Sequence, residues 1–203
     1  MRSKKHSWDF VRHGQKAIQV AAVGAGAFLI ANHGIADSLI PEAVQQTFEL
    51  KTDNDSTLCT LLTQIVNLPA PETVNFRFSI ATSNNTKNLF SVFTVDVGDF
   101  VFRGGVPASV KPVKLSSANI SSGNSSTNGI YNVSVLDDGG IMGSTRDLNA
   151  GAALLAMIMS GNLNVTFQRN GDLTTRTYTV TDRPSSDEVH KFSACVARLV
   201  GTK

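Results

Sequence analysis

Val74, Phe76, Phe78 and Ile80 occupy alternate positions of one stretch, and Asn75, Arg77 and Ser79 fill the gaps. A period of two puts the four apolar side chains on one face of a β-strand and the polar ones on the other, as in a sheet packed on one side and wet on the other. Short runs of this kind, rich in Val, Phe, Ile and Thr and separated by Gly, Asn, Asp and Pro, recur along most of the chain. The predicted strands are 47–52, 57–66, 74–81, 89–97, 100–103, 109–115, 130–136, 163–169 and 173–180. The expected fold class is mainly β: an antiparallel β-sandwich or barrel-like sheet with two peripheral α-helices.

The sharpest local signal is a hairpin over 163–180. Leu163, Val165 and Phe167 alternate with polar residues up to Asn170-Gly171, a pair that tolerates the positive φ of a tight reversal, and a Thr-rich strand returns from Leu173. Two helices interrupt the pattern. Asp147 is placed to cap an Ala-, Leu- and Met-rich run from Leu148 to Met159 that Gly161 ends, and Ser185-Ser186-Asp187-Glu188 has the form of a capping box. After that box, Val189, Phe192, Cys195, Val196 and Leu199 recur at three- and four-residue spacing, so the terminal helix is expected to dock one apolar face on the sheet.

The first 36 residues have a different grammar. Arg2, Lys4, Lys5, Arg12 and Lys16 precede an apolar and small-residue run from Ala17 to Ala31, and Gly34-Ile35-Ala36 fits a signal-peptidase site, with cleavage between Ala36 and Asp37. The competing reading is an uncleaved N-terminal membrane anchor, although the run falls short of the ~20 apolar residues of a spanning helix. Removing residues 1–36 takes away five basic residues and one acidic one, leaving 13 Lys and Arg against 15 Asp and Glu. The remaining basic residues are scattered, which argues against nucleic acid as a partner. Residues 37–203 are expected to form one β-rich exported domain.

Cys59 and Cys195, an even pair in an exported chain, predict one disulfide tying an early strand to the terminal helix. No CxxC occurs, which argues against a thioredoxin-like role.

Residues 116–129 are almost entirely Ser, Asn, Gly and Thr, with Ile120 the one large apolar residue. That composition predicts a surface loop not ordered by packing, and Asn119, Ile120, Asn124 and Asn128 are its candidate recognition residues.

Catalytic chemistry is tested by elimination. His6, His13 and His33 lie in the export segment, so His190 would be the only imidazole of the processed chain, and no GxSxG-like nucleophile turn is present. His190 is read as an ordinary helix residue, and two cysteines with one histidine do not complete a closed zinc set. Asp53-Asn54-Asp55-Ser56, Asp137-Asp138-Gly139-Gly140 and the pair Asp96 and Asp99, expected to flank a turn, are only fragments of calcium or acid–base sites. Asn-x-Ser/Thr triplets begin at Asn54, Asn84, Asn119, Asn124, Asn132 and Asn164 and are read as silent. No catalytic residue, metal or cofactor is assigned.

The export segment, the strand carrying Thr57-Leu58-Cys59-Thr60-Leu61-Leu62-Thr63-Gln64, the helix followed by the Leu163 to Phe167 strand and its hairpin, and the ending Phe192-Ser193-Ala194-Cys195 resemble the exported invasion-associated locus B family of alphaproteobacteria. The extra cysteines that many members carry mid-chain are missing here. The resemblance implies a periplasmic or envelope-associated β-sandwich without established catalysis, and it transfers no functional residue. The expected function is non-catalytic binding or accessory work by surface recognition, with an envelope or surface protein or a glycan as partner. The alternative is a structural subunit of an envelope assembly or surface appendage, with possible homo-oligomers. Membrane contact is expected only through an uncleaved N-terminal segment.

Overall fold

The structure is a computed structural model that describes residues 38–39, 41, 43–52, 56–83 and 88–201. The expected export segment, residues 1–36, and its expected cleavage point between Ala36 and Asp37, the carboxylates Asp53 and Asp55, and the triplet asparagines Asn54 and Asn84 lie outside the described residues. The strands are β1 (Ser38–Leu39), β2 (Ala43–Thr52), β3 (Ser56–Asn67), β4 (Glu72–Ser83), β5 (Leu89–Arg103), β6 (Val106–Val113), β7 (Leu115–Ser122), β8 (Ser125–Ser126), β9 (Asn132–Val135), β10 (Ile141–Thr145), β11 (Leu163–Arg169) and β12 (Thr175–Val180). The helices are α1 (Leu148–Met159) and α2 (Ser186–Gly201).

Two sheets result, a larger one in the order β2-β3-β4-β5-β10-β9 with β6 also on β5, and a smaller one in the order β1-β12-β11-β7-β8. All pairings are antiparallel except β1 with β12. The arrangement is sandwich-like, and neither sheet closes into a barrel. The alternation of 74–81 works as expected: Val74, Phe76 and Phe78 are fully buried and meet Leu61, Ile65, Phe93 and Val95 of the same sheet, and Val165, Phe167 and Tyr178 of the other, in one core.

Both helices form where expected. The Asp147 carboxylate accepts from the Asn149 N–H at 2.9 Å to cap α1, and Gly161 follows its end at φ +68°. Gly151 of α1 faces Ser91 so closely that a Cβ would stand 2.9 Å from its Oγ, so the glycine permits the helix to approach β5. At α2 only half of the expected capping box is present. Ser185 Oγ accepts from the Glu188 N–H at 3.3 Å, but the Glu188 carboxylate turns outward to the Phe48 N–H of β2 and to Lys191 Nζ, so it joins the helix to the sheet edge instead.

Three expectations are corrected. Residues 89–103 form one continuous strand, not two strands with a turn between Asp96 and Asp99. Gly98 lies inside it, where a Cβ would overlap Val110 of β6 at 2.2 Å, so the glycine serves close strand packing. The reversal between β11 and β12 spans residues 170–174, and Leu173, expected in the strand, is 98 % exposed in this wider turn. The third correction is the largest. Residues 115–122 are not a loop: β7 pairs along β11, and Ile120 is fully buried.

A bulge explains why β7 does not show in the sequence. Ser117 pairs with Gln168 but Leu115 with Arg169, so Ser116 is an extra residue in the ladder. It shifts the phase and lets Leu115, Ala118 and Ile120 all face the core at spacings of three and two. The polar side chains then complete the hydrogen bonding. Asn119 Oδ1 accepts from Ser126 Oγ at 2.9 Å and Thr127 Oγ1 at 3.0 Å, and Thr127 Oγ1 accepts from the Ile120 N–H at 3.1 Å.

Candidate functional site

Extending the inward parity of β4 backward from Val74 reaches Glu72, a carboxylate on the core-facing side of a strand. Its side chain is fully buried. It lies directly opposite Asp99 of β5 in the ladder, an arrangement of like charges that destabilises a sheet unless something neutralises it. Arg169, at the end of β11 in the other sheet, does so. Its Nη2 reaches Glu72 Oε2 at 2.5 Å and Asp99 Oδ1 at 2.6 Å, while its Nη1 reaches Asp99 Oδ2 at 3.1 Å.

Two residues of β12 complete the cluster. Arg176 Nη1 donates to Glu72 Oε2 at 2.9 Å, and the Tyr178 hydroxyl donates to Oε1 at 2.6 Å. Asn67 Nδ2 at the end of β3 donates to the Tyr178 oxygen at 2.9 Å, and Asn67 Oδ1 accepts from the Ala70 N–H at 3.2 Å. Two carboxylates thus face two guanidiniums, and five strands of both sheets are joined at one end of the sandwich. Burial, then the bond and charge of Glu72, push the Tyr178 phenol above its ordinary range. Burial pulls the Arg169 guanidinium down, but the bonds to Asp99 and Glu72 outweigh it and hold the group above its usual value. Arg169 Nε is buried without a partner.

Beside this cluster an open depression of about 380 Å³ is lined by Asp99, Lys111, Lys114, Arg169, Asn170 and Asp172 among others. The Arg169 guanidinium in its lining is already engaged by two carboxylates. The arrangement suits a polar surface contact better than an enclosed substrate site, which would surround most of a ligand.

The residues singled out from sequence are dispersed. Cys59 and Cys195 are bridged, with Cα atoms 5.8 Å apart, and fasten α2 to β3 where Phe192 also packs on Phe78. Of the proposed recognition residues, Asn119 and Ile120 serve the β7 ladder and core, while Asn124 and Asn128 are exposed in the β7–β8 turn and just after β8. His190 is exposed on α2 beside Lys191. Asp138 Oδ1 accepts from the Gly140 N–H at 3.1 Å within the turn between β9 and β10, a structural use of that Asp-Gly cluster. Asp96 instead pairs with Arg77 across β5 and β4; burial raises its carboxyl above the usual value, Arg77 opposes that, and Asp138 adds to it. Among the described residues no group of three or more His, Cys, Asp or Glu is arranged to hold a metal ion, and no helix is long and apolar enough to cross a membrane.

Comparisons of the chain with protein-family models, with curated proteins and with solved structures found no match.

Proposed function

We propose that this chain is a non-catalytic binding or accessory protein of the periplasm or cell envelope, working by recognition at its surface. The observation that carries this reading is the internal neutralisation of the Glu72 cluster. Its carboxylates and guanidiniums satisfy one another across the two sheets, so they tie the fold together and are spent on one another instead of standing ready as an acid–base pair. The Cys59–Cys195 bridge is in keeping with an oxidising compartment, as is the layout shared with the invasion-associated locus B family.

Edge strand β9 favours a second reading, as a subunit of an envelope assembly. Val133 and Val135 are 53 % and 60 % exposed there, and β9 has no charge, proline or bulge to discourage pairing with another chain. Intact-mass analysis of protein from the native envelope fraction, with and without reduction and alkylation, tests the exported reading. An N-terminus at Asp37 with both cysteines protected until reduction is the expected result. A cytoplasmic protein beginning at Met1 with two alkylatable thiols would overturn it.

A further inference from the structure

The β5–β6 hairpin inverts the usual distribution of polarity. β4 accompanies β5 only as far as Asp99, and the Phe100 N–H still donates to the Pro71 carbonyl; beyond it, among the described residues, 101–103 pair with β6 alone and turn at Gly104-Gly105, both at positive φ. Val101, Phe102 and Val106 at this tip are 40 %, 43 % and 63 % exposed. Phe102 stands opposite Pro107 and edge-on to Phe100, with ring centroids 6.4 Å apart, so it marks one face. Alternation places Val101 and Val106, the latter opposite Arg103, on the other face. Apolar surface therefore emerges on both sides of a two-stranded projection.

The charge at the tip itself is positive. From Phe100 to Leu136 the chain contains Arg103, Lys111 and Lys114 and no Asp or Glu. Of the acids near the hairpin base, Asp99 stands opposite Lys111 and is held by Arg169, Asp172 lines the depression together with Lys111 and Lys114, and Asp137 and Asp138 belong to the turn whose Gly139 packs on Lys114. We propose that the β5–β6 hairpin is a membrane-docking finger that seats Val101, Phe102 and Val106 in the interface of an anionic bilayer while Arg103 and Lys111 meet its phosphate headgroups.

A protein groove matched to one sheet face would leave the other apolar face wet, whereas a fluid interface surrounds both. Residues 101–103 span about 7 Å, within the 5–10 Å to which interfacial segments bury their apolar residues. The unpaired backbone edges of the finger stay at headgroup level, where water can satisfy them, so it docks without spanning. This proposal does not depend on the exported reading.

The test uses the full chain with Val106→Cys carrying an environment-sensitive fluorophore, the native cysteines being bridged, and Ala197→Cys on α2 as the control position. Vesicles of phosphatidylcholine with phosphatidylglycerol should blue-shift and brighten the probe at 106 and leave the one at 197 unchanged; pure phosphatidylcholine should do neither. Phe102→Ser should weaken this response about tenfold, and Arg103→Gln or Lys111→Gln about fivefold each. Matching thermal melts establish that the variants fold, and Val106→Ser, read by co-sedimentation, serves if Phe102→Ser does not. Vesicle binding with no change at 106 would assign attachment to another segment and overturn the proposal. So would a shift that appears without vesicles as protein concentration rises, which would identify a second copy as the occupant.

Discussion

Glu72→Gln keeps the shape of the buried side chain and removes its charge, which makes it the most direct test of what the ion cluster does. Three donors converge on the carboxylate, from Arg169, Arg176 and Tyr178. The amide offers one acceptor oxygen and turns an NH₂ group toward donors it cannot accept from. Removing one partner of a buried pair typically costs ~3–5 kcal/mol. Here Arg169 keeps its bidentate contact with Asp99, and Arg176 is 34 % exposed and can regain water. These escapes place the expected loss at the lower end, about 3 kcal/mol. With a urea slope of about 2 kcal/mol/M, the midpoint should fall by roughly 1.5 M with the slope unchanged. Arg176→Gln, which affects only the partly exposed arm, should cost about 1 kcal/mol or less. A Glu72→Gln protein as stable as the parent, or more so, would refute the reasoning. The carboxylate would then be kept at a cost to stability, as a functional group is, and the depression beside it would become a candidate reaction site.

Two further outcomes follow from buried groups. Replacing both Cys59 and Cys195 by Ala should lower stability by about 2–5 kcal/mol in equilibrium unfolding, because the bridge closes 136 residues of chain; an unchanged midpoint would mean that the non-covalent contacts of α2, Phe192 on Phe78 and Glu188 on the Phe48 N–H among them, hold it without the bridge. The only two tyrosines, Tyr131 and Tyr178, both have phenols raised above their ordinary value, chiefly by burial. A group raised on folding contributes stability that is fully present below its unfolded pKa of ~10 and is lost as pH rises through the folded value. Absorbance near 295 nm should therefore show no phenolate growing in near pH ~10, only a step coincident with unfolding at higher pH; a reversible titration at the ordinary value in folded protein would contradict the burial of both rings.

The helices, the bridge and most of the core strands were legible because each rests on a local pattern, but β10 was not predicted, and the expected strand 109–115 runs across the break at Lys114 between β6 and β7. Asp147 and Gly161 bracket α1, the spacing of Phe192 and Cys195 marks the face of α2, and alternation marks β4 and β11. β7 was not legible because the Ser116 bulge breaks its alternation and its inner face carries only Leu115, Ala118 and Ile120. Its order comes from ladder bonds and from Asn119 and Thr127 side chains, which composition alone does not weigh. The ion cluster does have a signal in the sequence. Glu72 shares the parity of Val74 and Phe76, Arg169 that of Val165 and Phe167, and Arg176 and Tyr178 that of Val180. Charges on three inward faces require one another, since a buried charge persists only when paired. The hairpin finger was hidden differently, because neither its apolar residues nor its basic ones depart from ordinary strand composition until the end of β4 leaves them unaccompanied.

The cluster and the disulfide fasten different parts to the larger sheet, the first the smaller sheet and the second α2. Cys59 lies near one end of β3 and Asn67 at the other, eight residues and about 26 Å apart along the strand. The bridge fastens α2 near the first end, and the Asn67–Tyr178–Glu72 chain fastens the smaller sheet at the second. Only the second clamp reaches the exposed hairpin. Asp99, held by Arg169, immediately precedes Phe100, whose N–H donates to the Pro71 carbonyl at 2.8 Å beside Glu72. The finger therefore leaves the sandwich from a base fixed on both strands of the β4–β5 pair. Fixing the base keeps the mobile length short, so an apolar tip can stand in solvent without folding back onto the nearest sheet. The charges buried behind the hairpin and the apolar residues displayed at its tip are in this sense one construction: ion pairing stiffens the root, and the stiff root keeps the tip outward.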